Sequence, residues 1–154
     1  MPGYGILDAE SGTGLLPWSW ATERLARSRN YFVATTCPDG RPHLMPVWGV
    51  WIEDTFFFST GPNSRKAKNL AADPRCVISP EGAGETVIVE GTAAFETDRA
   101  VLDRFVAAYK DKYDWQIDLA DPNQSGIYRV LPQVVFGIDD VNDFVGSATR
   151  WRFD

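Results

Sequence analysis

The chain has 154 residues, 44% hydrophobic and 13% aromatic, which excludes a disordered polymer and suits a domain with a real core. Its formal net charge of -6 argues against nucleic acid as the main partner. The opening MPGYGILDAESGTGLLP has no basic stretch leading into an apolar run, no segment approaches membrane-spanning length, and one histidine, His43, is too few for a His-rich metal site. Cys37 and Cys76 stand in no metal-ligand spacing, and a reduced, cytoplasmic protein is the expectation.

Residues 1–16 are Gly-rich and weakly patterned, which predicts a flexible arm ahead of one domain over 17–154. A helix is expected after Pro17, with Trp18, Ala21 and Leu25 on one face. A first strand runs Tyr31 to Cys37, and Pro38-Asp39-Gly40 turns the chain back. A long second strand follows, Arg41 to Ile52. Its faces, Leu44/Pro46/Trp48/Val50/Ile52 and His43/Met45/Val47/Gly49/Trp51, are both largely apolar, so both should be covered. A barrel interior on one side and a partner subunit or ligand on the other would do so. Pro46 has no N–H for a ladder and implies an edge or a bulge. Strand three is Thr55 to Thr60.

A helix from Ser64 to Ala72 ends before Pro74, and a strand runs Arg75 to Ser79. After the loop 80–84, a strand from Glu85 to Glu96 carries Gly91, the mark of a bulge or a close backbone approach. Val101, Leu102, Phe105, Val106 and Tyr109 give the helix from Asp98 to Tyr113 a core-facing stripe. A polar connection, 115–125, leads to a strand from Gly126 to Ile138, and the tail Thr149 to Phe153 alternates like a last strand. The sum is about six or seven strands, hairpin-linked, with two or three helices. That predicts a mainly β, antiparallel barrel with helices outside it, not an alternating βαβ sheet.

The helix after strand three opens Ser64-Arg65-Lys66-Ala67-Lys68. Cations are disfavoured at a helix N-terminus, where free N–H groups already carry partial positive charge. A bound phosphate would offset them; a solvated basic face is the alternative reading. Helical spacing turns Ala67, Leu70 and Ala71 inward, sets Lys66 beside that face, and points Arg65 and Lys68 away. Lys66 is therefore the first candidate and Arg65, through its long fork, the second. Ser59 and Thr60 can serve a ligand or their own turn. Trp48 and Trp51 lie on opposite strand faces, so one of them is expected to meet a partner subunit or a ligand ring; burial of both within their own subunit is the alternative. His43, near a hairpin, reads as a surface or interface residue.

The ordered set Gly40-Arg41-Pro42-His43, Pro46-Val47-Trp48, Phe58-Ser59-Thr60, Ser64-Arg65-Lys66-Ala67-Lys68-Asn69-Leu70 and Asp73-Pro74-Arg75 resembles the pyridoxamine 5′-phosphate oxidase-like split β-barrel superfamily. Within it the pattern is most similar to the flavin/deazaflavin oxidoreductases of actinobacteria, B group. The resemblance implies an FMN-binding type split barrel, a homodimer with two cofactor sites at the subunit interface, and coenzyme F420 as cofactor, with FMN the alternative. It implies that Met45, Pro46, Val47 and Trp48 line the flat ring, largely through backbone groups. Ser59 and Thr60, with Ser64 at the helix start, would meet the ribityl-phosphate region. Arg65 and Lys66 would hold the phosphate, and Trp151 and Arg152 would reach the other subunit's site. The Arg-x-Val-Leu-Leu-Lys element of the FMN oxidases is missing, which favours the deazaflavin. The implied activity is hydride transfer to a flat conjugated acceptor. An FMN-dependent oxidase or reductase, and a non-catalytic flavin- or haem-binding module, stand beside it. No Ser/His/Asp, Cys/His or paired-carboxylate signature competes with cofactor chemistry.

Overall fold

The computed structural model describes residues 15–82 and 84–154. Apart from Leu15 and Leu16, the expected arm lies outside the described residues. In chain order the elements are α1 (Trp18–Arg27), β1 (Tyr31–Thr36), β2 (Pro42–Val47), β3 (Gly49–Ile52), β4 (Thr55–Ser59), α2 (Arg65–Ala72), β5 (Arg75–Pro80), β6 (Glu85–Phe95), α3 (Arg99–Tyr113), β7 (Ile127–Asp139), α4 (Phe144–Ser147) and β8 (Thr149–Arg152).

Every strand pair is antiparallel, in the order β2-β1-β5-β6-β7-β4-β3, with β8 added to β7. The two ends of that order, β2 and β3, are joined by one residue, Trp48. Six spacings of about 4.8 Å would hold the edges of a flat seven-stranded sheet roughly 29 Å apart, while one residue advances a strand by about 3.4 Å. The sheet must therefore curl until its edges meet at Trp48. β7 serves two strands on one side, β4 along Ile127–Val130 and β8 along Val134–Gly137, and Pro132 falls between the two stretches. The result is the mainly antiparallel split barrel with peripheral helices that the sequence predicts.

The long second strand is corrected to two. Its residues keep their alternation, but the bend at Trp48 assigns one half to each edge of the sheet, which raises the strand count to eight among the described residues. The short α4 is also new. Pro46 sits on an edge strand, as expected. At Gly91 both expected features occur together. The register of β6 on β7 shifts there, and a Cβ would lie 2.3 Å from the Leu131 carbonyl oxygen.

Two apolar clusters hold the fold. Tyr31, Val33, Val47, Phe56, Phe58, Ile78, Val87, Val89, Val130 and Val135 fill the barrel, with Ala21 and Leu25 of α1 and Leu70 of α2 set against them. Val50, Phe57 and Ile127 on the outer face of the sheet meet Phe105, Tyr109 and Tyr113 of α3. Phe56, Phe57 and Phe58 divide between the clusters by strand alternation. Burial of a side chain of this size stabilises by roughly 1.5–3 kcal/mol, so the two clusters dominate the fold's energetics. Among the described residues no helix is long and apolar enough to cross a membrane.

Candidate functional site

Strand β4 ends at Ser59 because the next residue turns into a hydrogen-bonded corner. The Thr60 N–H donates to the Gly126 carbonyl at 2.9 Å. The backbones meet so closely that a Cβ at Gly126 would stand 2.1 Å from the Thr60 carbonyl oxygen, which makes glycine obligatory there. Ser59 Oγ donates to the Gln124 carbonyl at 3.0 Å. The Ser64 N–H donates to the Gly61 carbonyl and closes the turn. Ser64 is then the N-cap of α2: its Oγ accepts from the Ala67 N–H at 3.2 Å and shares a 3.0 Å hydrogen bond with Thr60 Oγ1. The three hydroxyls at 59, 60 and 64 thus build the corner on which the cationic turn stands.

The first turn of α2 holds no acidic residue. Among the described residues, no carboxylate pairs with Arg65, Lys66 or Lys68, although seven arginines elsewhere do form ion pairs. The N–H groups of Arg65 and Lys66 likewise find no acceptor among those residues. Arg65 and Lys68 are exposed and Lys66 is half-buried, as helical spacing predicts. Burial holds the Lys66 ammonium below its ordinary lysine value. The inward face needs one correction: Ala71 is exposed, and Asn69 is fully buried with Ala67 and Leu70. α2 packs on β1, and Asn69 finds polar partners there that an alanine pattern could not reveal.

Those partners tie α2 to β1, the neighbour of the strand expected to line the ring. Asn69 Nδ2 donates to Thr35 Oγ1 at 3.0 Å and to Cys37 Sγ at 3.6 Å. Thr35 Oγ1 stands 3.5 Å from His43 Nδ1, the outer limit of a hydrogen bond. His43 and Met45 share one face of β2, opposite Thr35 and Val33 of β1. Asn69 Oδ1 is buried with no hydrogen-bond partner among the described residues.

Met45 is 43% exposed and Pro46 is exposed, while Val47 is buried in the barrel, so Val47 can offer a ligand only its backbone. Trp48 is already engaged: its indole lies flat on Tyr113 at 4.7 Å with 3° between the planes, and its Nε1 donates to Asn30 Oδ1 at 3.2 Å. Trp51 packs edge-on against Trp18 of α1, 6.1 Å away. Each indole thus packs on its own chain, Trp48 on Tyr113 and Trp51 on Trp18, and both remain half-buried. α3 covers the outer face at 48–52 and the barrel covers the inner one. Trp151 stands 5.4 Å from Trp18 and lies against Gly137, while Arg152 is exposed on β8. The structure joins residues 59–66 into one corner and links it to β2 through β1. Trp151 belongs to the α1 cluster.

The sequence assigned no site role to Lys112, Tyr113 or Asn69. Tyr113 extends the stripe Phe105, Tyr109 by one more step of four, a signal that could have found it. Lys112 Nζ donates to the carbonyls of Ala26 at 3.1 Å and Gly49 at 3.0 Å and to Tyr31 Oη at 2.7 Å, and burial pushes its ammonium down to about 8.

A family model for pyridoxamine 5′-phosphate oxidase matches residues 21–138. The chain belongs to that family. No curated protein matches it. Among solved structures, general stress protein 26 from Bacillus anthracis str. Sterne is 18% identical, with a TM-score of 0.70 over 88% of this chain and 97% of that one. An F420 reductase is 22% identical, with a TM-score of 0.56 over 73% and 93% of the two chains. A FAD-binding protein from Mesorhizobium loti is 20% identical, with a TM-score of 0.60 over 78% and 92%. At these identities the likeness is one of fold.

Proposed function

We propose that this member of the family is an oxidoreductase that uses reduced coenzyme F420 to deliver hydride to a flat, conjugated small molecule. The observation that carries the reading is the acid-free opening of α2. Two candidate cations, one half-buried, stand in its first turn beside two N–H groups that have no acceptor among the described residues, a combination that favours an anion. That donor set suits a phosphate. The missing Arg-x-Val-Leu-Leu-Lys element speaks for the deazaflavin over FMN.

When bound, the deazaflavin supplies the hydride. The chain's part is to hold and orient. Lys66 and Arg65 neutralise the phosphate, and the corner built by Ser59, Thr60 and Ser64 fixes where they stand. The backbone of 45–48 is the edge against which a flat ring would rest, since the Val47 and Trp48 side chains are occupied by their own chain. Fixed orientation of this kind can replace a dedicated catalytic dyad. Phe32, Leu44 and Met45 leave apolar surface exposed beside this edge, and a second copy of the chain covering it completes the proposed site as a homodimer. The free thiols Cys37 and Cys76 fit a cytoplasmic setting.

The test is a pair of fluorescence titrations, one with oxidised coenzyme F420 and one with FMN. Saturable, tighter binding of F420 is expected. Tighter binding of FMN would reassign the cofactor, and a chain that binds neither would overturn the reading.

A further inference from the structure

The barrel closes through Trp48 and Gly49, and the last turn of α3 holds Gly49 on both sides, at its N–H in the peptide from Trp48 and at its carbonyl in the peptide to Val50. The Gly49 N–H donates to Tyr113 Oη at 2.9 Å. The Gly49 carbonyl accepts from Lys112 Nζ at 3.0 Å, with Tyr113 Oη a further 2.8 Å away. Tyr113 Oη has one proton and two carbonyls in reach, those of Gly49 and Arg29, each at 2.8 Å. Lys112 already supplies the Gly49 carbonyl, so donation to Arg29 leaves every group satisfied. The three protons of Lys112 are also fully used, on Ala26, Tyr31 and Gly49. The Trp48 indole lies flat on the Tyr113 ring, and the Arg29 guanidinium stands 5.3 Å from the Trp48 ring and 5.7 Å from the Tyr113 ring. No other side chain can replace the hydrogen at Gly49, because a Cβ would fall 2.3 Å from Phe56 Cζ and 2.8 Å from the Phe57 carbonyl oxygen.

Such a clamp exceeds what strand pairing needs. Gly49 is already aligned with Phe58 in the β3–β4 ladder. What the clamp adds is control over the direction in which the chain leaves β2, and residues 45–48 end in that bend. We propose that Tyr113 and Lys112 are positioning residues for cofactor binding: by pinning Trp48–Gly49 from α3, they set the course of the Met45–Trp48 backbone. This inference rests on the deazaflavin reading above and adds two residues outside the lining segment.

The experiment compares Tyr113→Phe, Lys112→Met and Tyr109→Phe with the unaltered chain. Tyr109 belongs to the same cluster and packs with its ring tilted 49° and centred 4.7 Å from that of Tyr113, but it makes no hydrogen bond to Gly49. Three quantities are read: oxidised F420 affinity by fluorescence, hydrogen exchange at the Gly49 amide, and melting temperature. Tyr113→Phe keeps the ring stack and removes the hydroxyl. It should weaken F420 binding by about fivefold, the equivalent of ~1 kcal/mol, and speed exchange at Gly49. Lys112→Met should weaken binding in the same direction, while Tyr109→Phe binds as the unaltered chain does. If Tyr113→Phe frees the Gly49 amide yet binds normally, the positioning role is wrong and the cofactor reading stands. Equal weakening by Tyr109→Phe would also overturn it, because general loosening of the cluster would then be the cause. An unaltered chain that binds no F420 would sink both readings together.

Discussion

Lys66→Ala separates a ligand-holding lysine from a structural one, because its two measurable effects have opposite signs. In the free protein Lys66 is a half-buried cation at the second position of α2, with no carboxylate paired to it among the described residues. Removing a cation from a helix N-terminus relieves about 0.3–1 kcal/mol of unfavourable interaction with the free N–H groups. For a chain of this length that amounts to a rise in melting temperature of about 1–4 °C. In the complex the same ammonium would make a charge-assisted hydrogen bond of roughly 1.5–3 kcal/mol to the phosphate, so its loss should weaken F420 by about 10- to 150-fold. The assay is fluorescence titration beside differential scanning calorimetry of both proteins. The pH dependence supplies an internal check. Burial lowers the Lys66 value, so the charge that holds the phosphate disappears as pH rises, beginning below the ordinary lysine range. Affinity of the unaltered chain should fall across that alkaline limb, and the limb should be missing in Lys66→Ala. Unchanged affinity with a lower melting temperature would show that Lys66 supports the fold and that the phosphate assignment is wrong.

Two further outcomes bear on the fold and its assembly. Lys112 titrates near 8 in the folded chain and at its ordinary 10.5 when unfolded, so the unfolded chain binds the extra proton between those values. Stability from this group therefore rises with pH from 8 upward. Burial raises Cys76 from 9.0 to about 12 and works the other way above pH 9, so the comparison is made from pH 8 to 9, where the lowered Lys66 contributes equally to both proteins. Urea midpoints measured across it should climb less in Lys112→Met than in the unaltered chain; parallel curves would refute the assignment. Leu44, 59% exposed beside Phe32 on the outer sheet face, should lie in the interface of the proposed homodimer. Light scattering should report a dimer for the unaltered chain and a monomer for Leu44→Glu, and an unaltered chain that is monomeric ends the shared-site proposal.

Much of the architecture is legible from local patterns. Pro17, Pro38-Asp39-Gly40 and Asp73-Pro74 mark boundaries by backbone restriction alone, and those boundaries recur in the fold. The stripe from Val101 to Tyr109 needs only helical geometry to announce α3. Gly91 announces both its bulge and its close contact. The order Ser64-Arg65-Lys66 presents an uncompensated cationic helix start whatever surrounds it, because the cost arises within one turn.

Other features depend on contacts between residues far apart in the chain. Arg41 to Ile52 alternates without a break, and nothing local in it says that Trp48 is where two edges of a curled sheet meet. That follows from the order of seven strands, a property of the whole sheet. The same closure brings α3 over β3, so Trp48 meets Tyr113 of its own chain, 65 residues later. Asn69 reads as an interruption in a short helix until β1 places Thr35 and Cys37 against it. Period and turn chemistry act over a few residues and can be read along the chain. The clamp on Gly49 joins three segments that only the folded barrel brings within hydrogen-bond reach, so only the tertiary structure decides it.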